Sequence, residues 1–470
     1  MRRIDDAHRL PYPPFDMPQD IGTRMLNRHV LCCIAAASLA TPAFAQSAAS
    51  VTQRSVAAHE AFLASDALQG RGSATRDEAI AAAYVASEFQ SYGLTPAPGM
   101  QGYLQTATVI RQRLDGPVRL TAGGAAVEGA TLIAGSGKAV AGKLAVATAA
   151  KLPDSPVVLV AAKDADPMAL YRAARGGAVK LLLIRESDAT RRMTAMFGGP
   201  RLPTYLDGKA PPDQLTLVTL PDAAVDALAG KAGASVALTV PTVQERAPTT
   251  NAIGYLKGSD PDAGTLLFTA HLDHLGVLAD GTVMHGANDD ASGTTAVLEL
   301  AQALSTGKQP KRSILFVCYG SEELGGFGST WFAEHPPVPL DKIVANIEFE
   351  MIGAQDPKLP KDTLMMTGFD RSNLGAALKA HGALVTGDPY PEEHFFERSD
   401  NYSLALKGVV AHTVSGWAVT PTYHQPTDTY ANLNLEFMTR AIQSLVAPAA
   451  WLANSDFVPE WNPGGRPVER

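Results

Sequence analysis

Cysteine is scarce: the 470 residues contain three, and Cys32 and Cys33 lie in a stretch that reads as a signal peptide. A mature chain left with Cys318 alone forms no internal disulfide, so an exported form must stand on its hydrophobic core. Neither early cysteine sits in a lipoprotein context, because His29-Val30-Leu31 lacks the small residues expected before a lipidated Cys. Basic runs are missing as well. With a formal net charge of −8, the chain is not expected to bind nucleic acid or an anionic membrane surface. No collagen-like, coiled-coil or low-complexity period is present. The apolar stretch Val30–Ala40 is too short to span a bilayer, so no transmembrane segment is expected in the mature chain. Histidine is absent between His59 and His271, which leaves that interval without a ligand-competent cluster.

At 46% hydrophobic and 18% charged residues, the chain can bury a large core and is expected to form two domains. From Met25 a short basic start, Arg28 and His29, runs into Val30–Ala40 and then Ala43-Phe44-Ala45, a small-residue cleavage pattern. The preceding residues carry four prolines and fit no signal region, which leaves both Met1 and Met25 open as the start. Cleavage near Ala45 predicts a periplasmic or secreted protein. The expected organisation is an N-terminal extension and signal over 1–45, the beginning of the main domain over 46–115, an inserted domain over 116–245 and a catalytic domain over 246–470.

Thr75 and Glu78 form a capping-box pattern, Ile80, Tyr84 and Phe89 recur at helical spacing, and Gly93 stops the helix before Pro96 and Pro98. This helix is expected to pack against the sheet rather than do chemistry. From 116 to 245 the composition shifts to Ala, Val, Leu, Gly and Thr. Val157–Ala161 and Val179–Ile184 read as strands and Met168–Arg175 as a helix, in a β-rich, non-catalytic insertion that covers a site or limits substrate size. Beyond Asn251, strands at Leu266–Ala270, Ile314–Tyr319, Ile343–Phe349 and Val409–Val414 alternate with helices at Thr294–Leu304 and Leu435–Leu452. Such alternation predicts an α/β fold with a mostly parallel central sheet covered by helices on both faces.

The strand ends carry the chemistry. HLDH (271–274), GANDDASG (286–293), SEE (321–323), EFEMIG (348–353) and YHQPTD (423–428) bring two His and at least three carboxylates to where an open α/β sheet builds sites. Asp273, two residues after His271, can take the imidazole N–H and turn the other nitrogen toward a metal. Asp289, in a Gly-flanked turn, offers two oxygens and can bridge two metals; an Asp pair before a helix otherwise serves as a cap. Glu322 and Glu323 are adjacent, so their side chains diverge and one can bind metal while the other stays free as a base. Of the remaining histidines, His274, His285, His394 and His412 are assigned structural roles.

In this order the motifs resemble the co-catalytic zinc exopeptidases of clan MH, the metallopeptidase family numbered twenty-eight, which includes bacterial aminopeptidases and glutamate carboxypeptidase II relatives. The stretch DALQGRGSATRDEAIAAAYVASEFQSYGLTPAP is similar to that family's N-terminal segment, and the insertion, with ARGGAVKLLLI, resembles a protease-associated domain. The resemblance implies two Zn2+ per chain and peptide substrates. His271, Asp289 and Glu350 would bind one metal and Asp289, Glu323 and His424 the other, with Glu322 as general base, Asp273 orienting His271 and Tyr423 donating to the oxyanion. FFERSDN (395–401) resembles a loop near the substrate, which makes Arg398 and Asp400 pocket candidates; Asp400 otherwise caps the next turn.

One position departs from the family pattern. Where the family has Asp before Met-Ile-Gly, this chain has Glu350, whose extra methylene carries the carboxylate about 1.5 Å further out. Glu suits zinc as well as Asp does, and Glu348, on the same strand face, is the fallback ligand. The expected activity is that of an aminopeptidase. The alternatives are a carboxypeptidase or dipeptidase on the same site, a one-zinc glutaminyl cyclase, and a receptor-like ectodomain without catalysis.

Overall fold

Four parallel strands at the centre of the fold are buried along almost their whole length: Thr265–His271, Ser313–Tyr319, Ile343–Glu350 and Ala411–Ser415. A computed structural model describes residues 50–147, 151–196 and 199–468; the expected signal segment, its cleavage site, Cys32 and Cys33 lie outside the described residues. Thr265–His271 and Ser313–Tyr319 are near-continuous apolar runs because both faces are covered, while Ile343–Glu350 and Ala411–Ser415 also bury polar side chains such as Asn346, Glu348 and His412. Leu266, Phe268 and Ala270 pack on one face with the helices Arg76–Ser91, Ser292–Ser305 and Leu435–Asn454. Leu267, Leu315, Val317 and Tyr319 pack on the other with Phe327–Glu334 and Asn401–Leu406. Truncating a side chain such as the fully buried Phe316 to Ala would cost about 3–5 kcal/mol.

Around this parallel centre the nine-stranded sheet is mixed. Thr242–Leu256 runs antiparallel to Ser313–Tyr319, and Leu104–Leu114 antiparallel to Thr242–Leu256 in unbroken register from Leu104 opposite Ala252 to Leu114 opposite Thr242. That ribbon carries the chain out to a second, eight-stranded sheet and back, which is why the insertion interrupts the sequence between these two strands. The helices and strands expected in the main domain are present, the longest of them Leu435–Asn454.

The second sheet has its own core around Val157, Leu159, Leu181, Leu183, Val218 and Leu238. It is less purely β than its composition suggests. Val140–Ala147, Val157–Val160, Leu181–Arg185 and Thr216–Leu220 pair in parallel, with the helices Pro167–Ala174, Asp188–Met196 and Asp222–Ala229 among them. One short strand, Thr204–Leu206, leaves this sheet and pairs with Leu104–Leu114 at the edge of the first. The expected insertion therefore contributes a strand to the main sheet, blunting an edge that would otherwise be open.

Candidate metal centre

The carboxyl ends of the parallel strands deliver the site. His271 closes its strand, Glu322 and Glu323 follow Ser313–Tyr319 by a tight turn, and Glu350 is the last residue of its strand. Ser321, Met351 and His424 all have positive φ, at 56°, 54° and 52°. Non-glycine residues adopt this conformation rarely, and such outliers gather where surrounding structure fixes a functional geometry.

Two clusters of donor atoms share Asp289: His271, Asp289 and Glu350 form one, and His274, Asp289 and Glu323 the other, each with its ligand atoms within 4.8 Å of one another. His271 Nε2 lies 3.3 Å from Asp289 Oδ1. His424 Nε2 lies 3.2 Å from Asp289 Oδ2 and 3.1 Å from Glu323 Oε2. His271 Nε2, Asp289 Oδ2, Glu323 Oε1 and both ring nitrogens of His274 are buried without hydrogen-bond partners. Buried polar atoms are almost always paired, so this convergence of unpaired imidazoles and carboxylates fits bound divalent metal.

The electrostatics point the same way. Burial alone would lower the His271 and His424 pKa values, yet neighbouring carboxylates push His424 up to about 10 and His271 well above its usual value. Burial alone would raise Asp289, yet His271 and His424 hold it below the carboxylate range. The cavity is built for positive charge, which protons supply when metal does not.

The paired glutamates diverge as expected. Glu323 faces His274 and His424, whereas Glu322 lines a recess with Gly325, Gly326, Ser329, Arg398 and Asp400. Burial pushes Glu322 well above the usual carboxyl range. Asp273 acts differently from the sequence expectation. His271 Nδ1 is 3.2 Å from the backbone carbonyl of Asp273 and 3.8 Å from its carboxylate, because that carboxylate is engaged by the amides of Glu322 (2.9 Å) and Glu323 (3.3 Å) and by the Ser73 hydroxyl. Asp273 thus ties the glutamate turn to the His271 strand.

Glu350, not Glu348, faces the clusters. Glu348 lies on the same face but one step further back along the strand, where its carboxylate accepts from the Ser399 hydroxyl, the Asn401 amide and the Thr413 hydroxyl. Tyr423 stacks on His424 with ring centroids 3.9 Å apart and lines a recess with Glu350, Met351, Met365, Phe395 and Arg398; burial raises its hydroxyl pKa. Arg398 pairs with Glu393 at 3.2 Å and borders both recesses. Asp400 is buried, makes no cap bond to the helix it precedes, and has no hydrogen-bond partner for either oxygen. Burial pushes it up to about 7.

Sequence reasoning missed the supporting residues. The two residues of the Asp pair face different ways: Asp289 faces the donors, while Asp290 Oδ1 accepts from Gly293 N at 2.9 Å, as a cap, and from Met351 N at 3.0 Å. Asn288 Oδ1 accepts from Gly353 N and Ser292 Oγ from Ile352 N, so the GANDDASG turn is bonded directly to the Met-Ile-Gly turn. A Cβ at Gly293 would sit 2.2 Å from the Phe349 carbonyl oxygen, so only glycine fits there. Arg71, fully buried, donates to the carbonyls of Leu63, Leu272, His285 and Gly286. Glu78 accepts from Ala74 N, Thr250 N and the Ser321 hydroxyl, while Thr75 caps its helix on Asp77 N and Glu78 N. The expected reciprocal bond to Thr75 is therefore displaced by one residue, and the helix that was expected only to pack also braces the glutamate turn. His285 and His412 keep structural roles, on Asp66 and on Ser372 with Thr367; His274 is fully buried with Nδ1 2.9 Å from Glu323 Oε1.

Residues 251–449 match the profile of Peptidase family M28. The chain is 30% identical over 223 residues to leupeptin-inactivating enzyme 1 of Streptomyces exfoliatus, covering 43% of this chain and 48% of that protein. It is 26% identical over 266 residues to a probable leucine aminopeptidase 2 of Aspergillus oryzae, covering 50% and 51%. The chain thus spans about half the length of these relatives. Among solved structures, the aminopeptidase from Aneurinibacillus sp. strain AM-1 superposes with a TM-score of 0.56 at 19% identity, over 90% of this chain and 98% of that one. A zinc aminopeptidase from Bacillus subtilis gives 0.53 at 18%, over 86% and 96%. At that identity the likeness speaks for the fold.

Proposed function

We propose that the chain, whose residues 251–449 match peptidase family M28, is an exported two-zinc exopeptidase that removes residues from the free amino end of peptides. The carrying observation is the pair of donor clusters that share Asp289, with buried imidazole and carboxylate atoms left unpaired. His271, Asp289 and Glu350 would hold one zinc, and Asp289, Glu323 and His424 the other. Bound zinc supplies Lewis acidity toward the scissile carbonyl and makes the attacking water more acidic.

The chain's own groups do the rest. Glu322 stands free of the donor clusters in its recess; as general base it takes the water proton and returns it to the leaving amine. Asp273 holds the Glu322 amide and so fixes where that base stands. The Tyr423 hydroxyl keeps its proton at neutral pH and donates to the developing oxyanion. The unpaired Asp400 carboxylate and Arg398 border the substrate, where a carboxylate suits a substrate amine. The second sheet acts as a protease-associated-like domain that limits substrate size. Export follows cleavage near Ala45; among the described residues no helix is long and apolar enough to cross a membrane.

The test is zinc analysis of the purified protein together with a screen of paired peptides, one member free at its amino end and the other N-acetylated. Cleavage of the free member alone, from its first residue, supports the reading. Cleavage of blocked peptides from the carboxyl end would make it a carboxypeptidase, and cyclisation of amino-terminal glutamine without hydrolysis a glutaminyl cyclase.

A further inference from the structure

His274 closes the HLDH motif, three residues after His271, and is a buried imidazole whose two ring nitrogens both lack a hydrogen-bond partner by geometry. Its Nδ1 lies 2.9 Å from Glu323 Oε1 and 3.8 Å from Asp289 Oδ2. At 2.9 Å an N–H aimed at the oxygen would make a good hydrogen bond, yet Nδ1 and Oε1 both remain without a hydrogen-bond partner. The two atoms make a close ion pair, and donor atoms of His274, Asp289 and Glu323 all lie within 4.8 Å of one another, the convergence expected around a shared metal. Tetrahedral zinc with bonds of about 2.0–2.1 Å keeps its ligand atoms roughly 3.3 Å apart, the scale of these separations.

His424 approaches the same two carboxylates from the other side, 3.2 Å from Asp289 and 3.1 Å from Glu323. The two imidazoles stand edge to face, centroids 5.7 Å apart and planes at 69°. The His274 backbone is locked as well: its N–H donates to Arg71 O and its carbonyl accepts from Ser73 N. Its ring rests on Gly286, where a Cβ would come within 2.4 Å of Cγ.

We propose that His274 is a direct ligand of the second metal, an inference that rests on the two-metal reading above. That position then has four protein donors, His274, Asp289, Glu323 and His424, while the other has three, His271, Asp289 and Glu350. Four protein ligands close a zinc site and three leave a coordination position for water or substrate. The two positions therefore differ in role: the His274 position holds its metal tightly and shapes Asp289, and the Glu350 position, beside the Tyr423 recess, meets the substrate.

The test counts histidine ligands on the full chain loaded with Co2+. Proton NMR of the cobalt protein should give three solvent-exchangeable imidazole N–H resonances shifted by the paramagnetic metal, one each from His271, His274 and His424. His274→Ala should leave two and weaken uptake of the more tightly bound cobalt by about 10–100-fold. Two such resonances in the wild-type protein with two cobalt ions bound, or three that persist in His274→Ala, would overturn the inference and leave the two-metal reading standing. Failure to take up cobalt or zinc would overturn both. The wild-type count decides the matter even where the variant folds poorly.

Discussion

Asp428 holds Asp289 in place from 139 residues away: its two carboxylate oxygens accept the backbone N–H groups of Asn288 at 2.8 Å and Asp289 at 3.0 Å. The aspartate shared by both donor clusters thus depends on a second aspartate that touches neither cluster. Asp428→Asn replaces one acceptor oxygen with an N–H2 that repels a backbone donor. We expect zinc affinity to fall by about 10–100-fold while the fold persists, with Asp289→Asn far more severe. Calorimetric titration of both variants with zinc reads the difference; equal affinity in Asp428→Asn and wild type would remove Asp428 from the positioning role.

The adjacent glutamates separate by readout. Glu322→Gln should retain its metals and lose about 10²–10⁴-fold in kcat, whereas Glu323→Gln should lose metal. Metal content and kcat of the two purified variants check this, and the reverse pattern would exchange the two assignments.

Glu350 and Glu348 differ in what they touch. Glu350→Gln should weaken the more loosely held metal and spare the other. Glu348→Gln should keep both and instead lose about 1–3 kcal/mol of stability, because an amide N–H2 would face the donors on Ser399, Asn401 and Thr413. Zinc per chain and denaturant midpoints decide between them; a metal lost in Glu348→Gln alone would move the ligand role to Glu348.

Proton release gives a pH test. In the metal-free protein His424 titrates near 10 and His271 well above its usual value, both above free imidazole at about 6.5. Raised folded-state values mean that the charged rings stabilise the metal-free fold fully below that free value, a contribution lost for His424 as pH rises through about 10. At pH 7 the His424 ring carries a proton that zinc must displace, so uptake should release protons and affinity should fall as pH drops. Zinc titrations in two buffers of different ionisation heat measure the number; no release would contradict these protonation states.

The strand ends were legible because chemistry there interrupts runs such as Thr265–His271 and Ser313–Tyr319, whose buried residues leave no other place for a His or Glu. Glu350 and Glu348 were not separable by pattern, since period-two alternation puts both on one face; their difference comes from Ser399, Asn401 and Thr413, which arrive from distant segments. The bracing contacts of Asp428, Arg71 and Glu78 were hidden for the same reason. Their partners are backbone amides and carbonyls, which carry no mark in the sequence. His274 was passed over because a lone extra histidine usually has a hydrogen-bond partner, and only the coordinates show that this one has none. The expected boundary of the insertion missed Thr204–Leu206, too short a segment to announce its pairing with Leu104–Leu114.

The central claim is that two metals sharing Asp289 drive hydrolysis at a free amino end. It is tested most directly by titrating metal-stripped protein with zinc while following cleavage of an unblocked aminoacyl amide. Activity should be absent in the stripped protein, remain low through the first equivalent as the tighter site fills, and climb to its plateau at two zinc per chain. Full activity in the stripped protein, or a plateau reached at one zinc, would contradict the account.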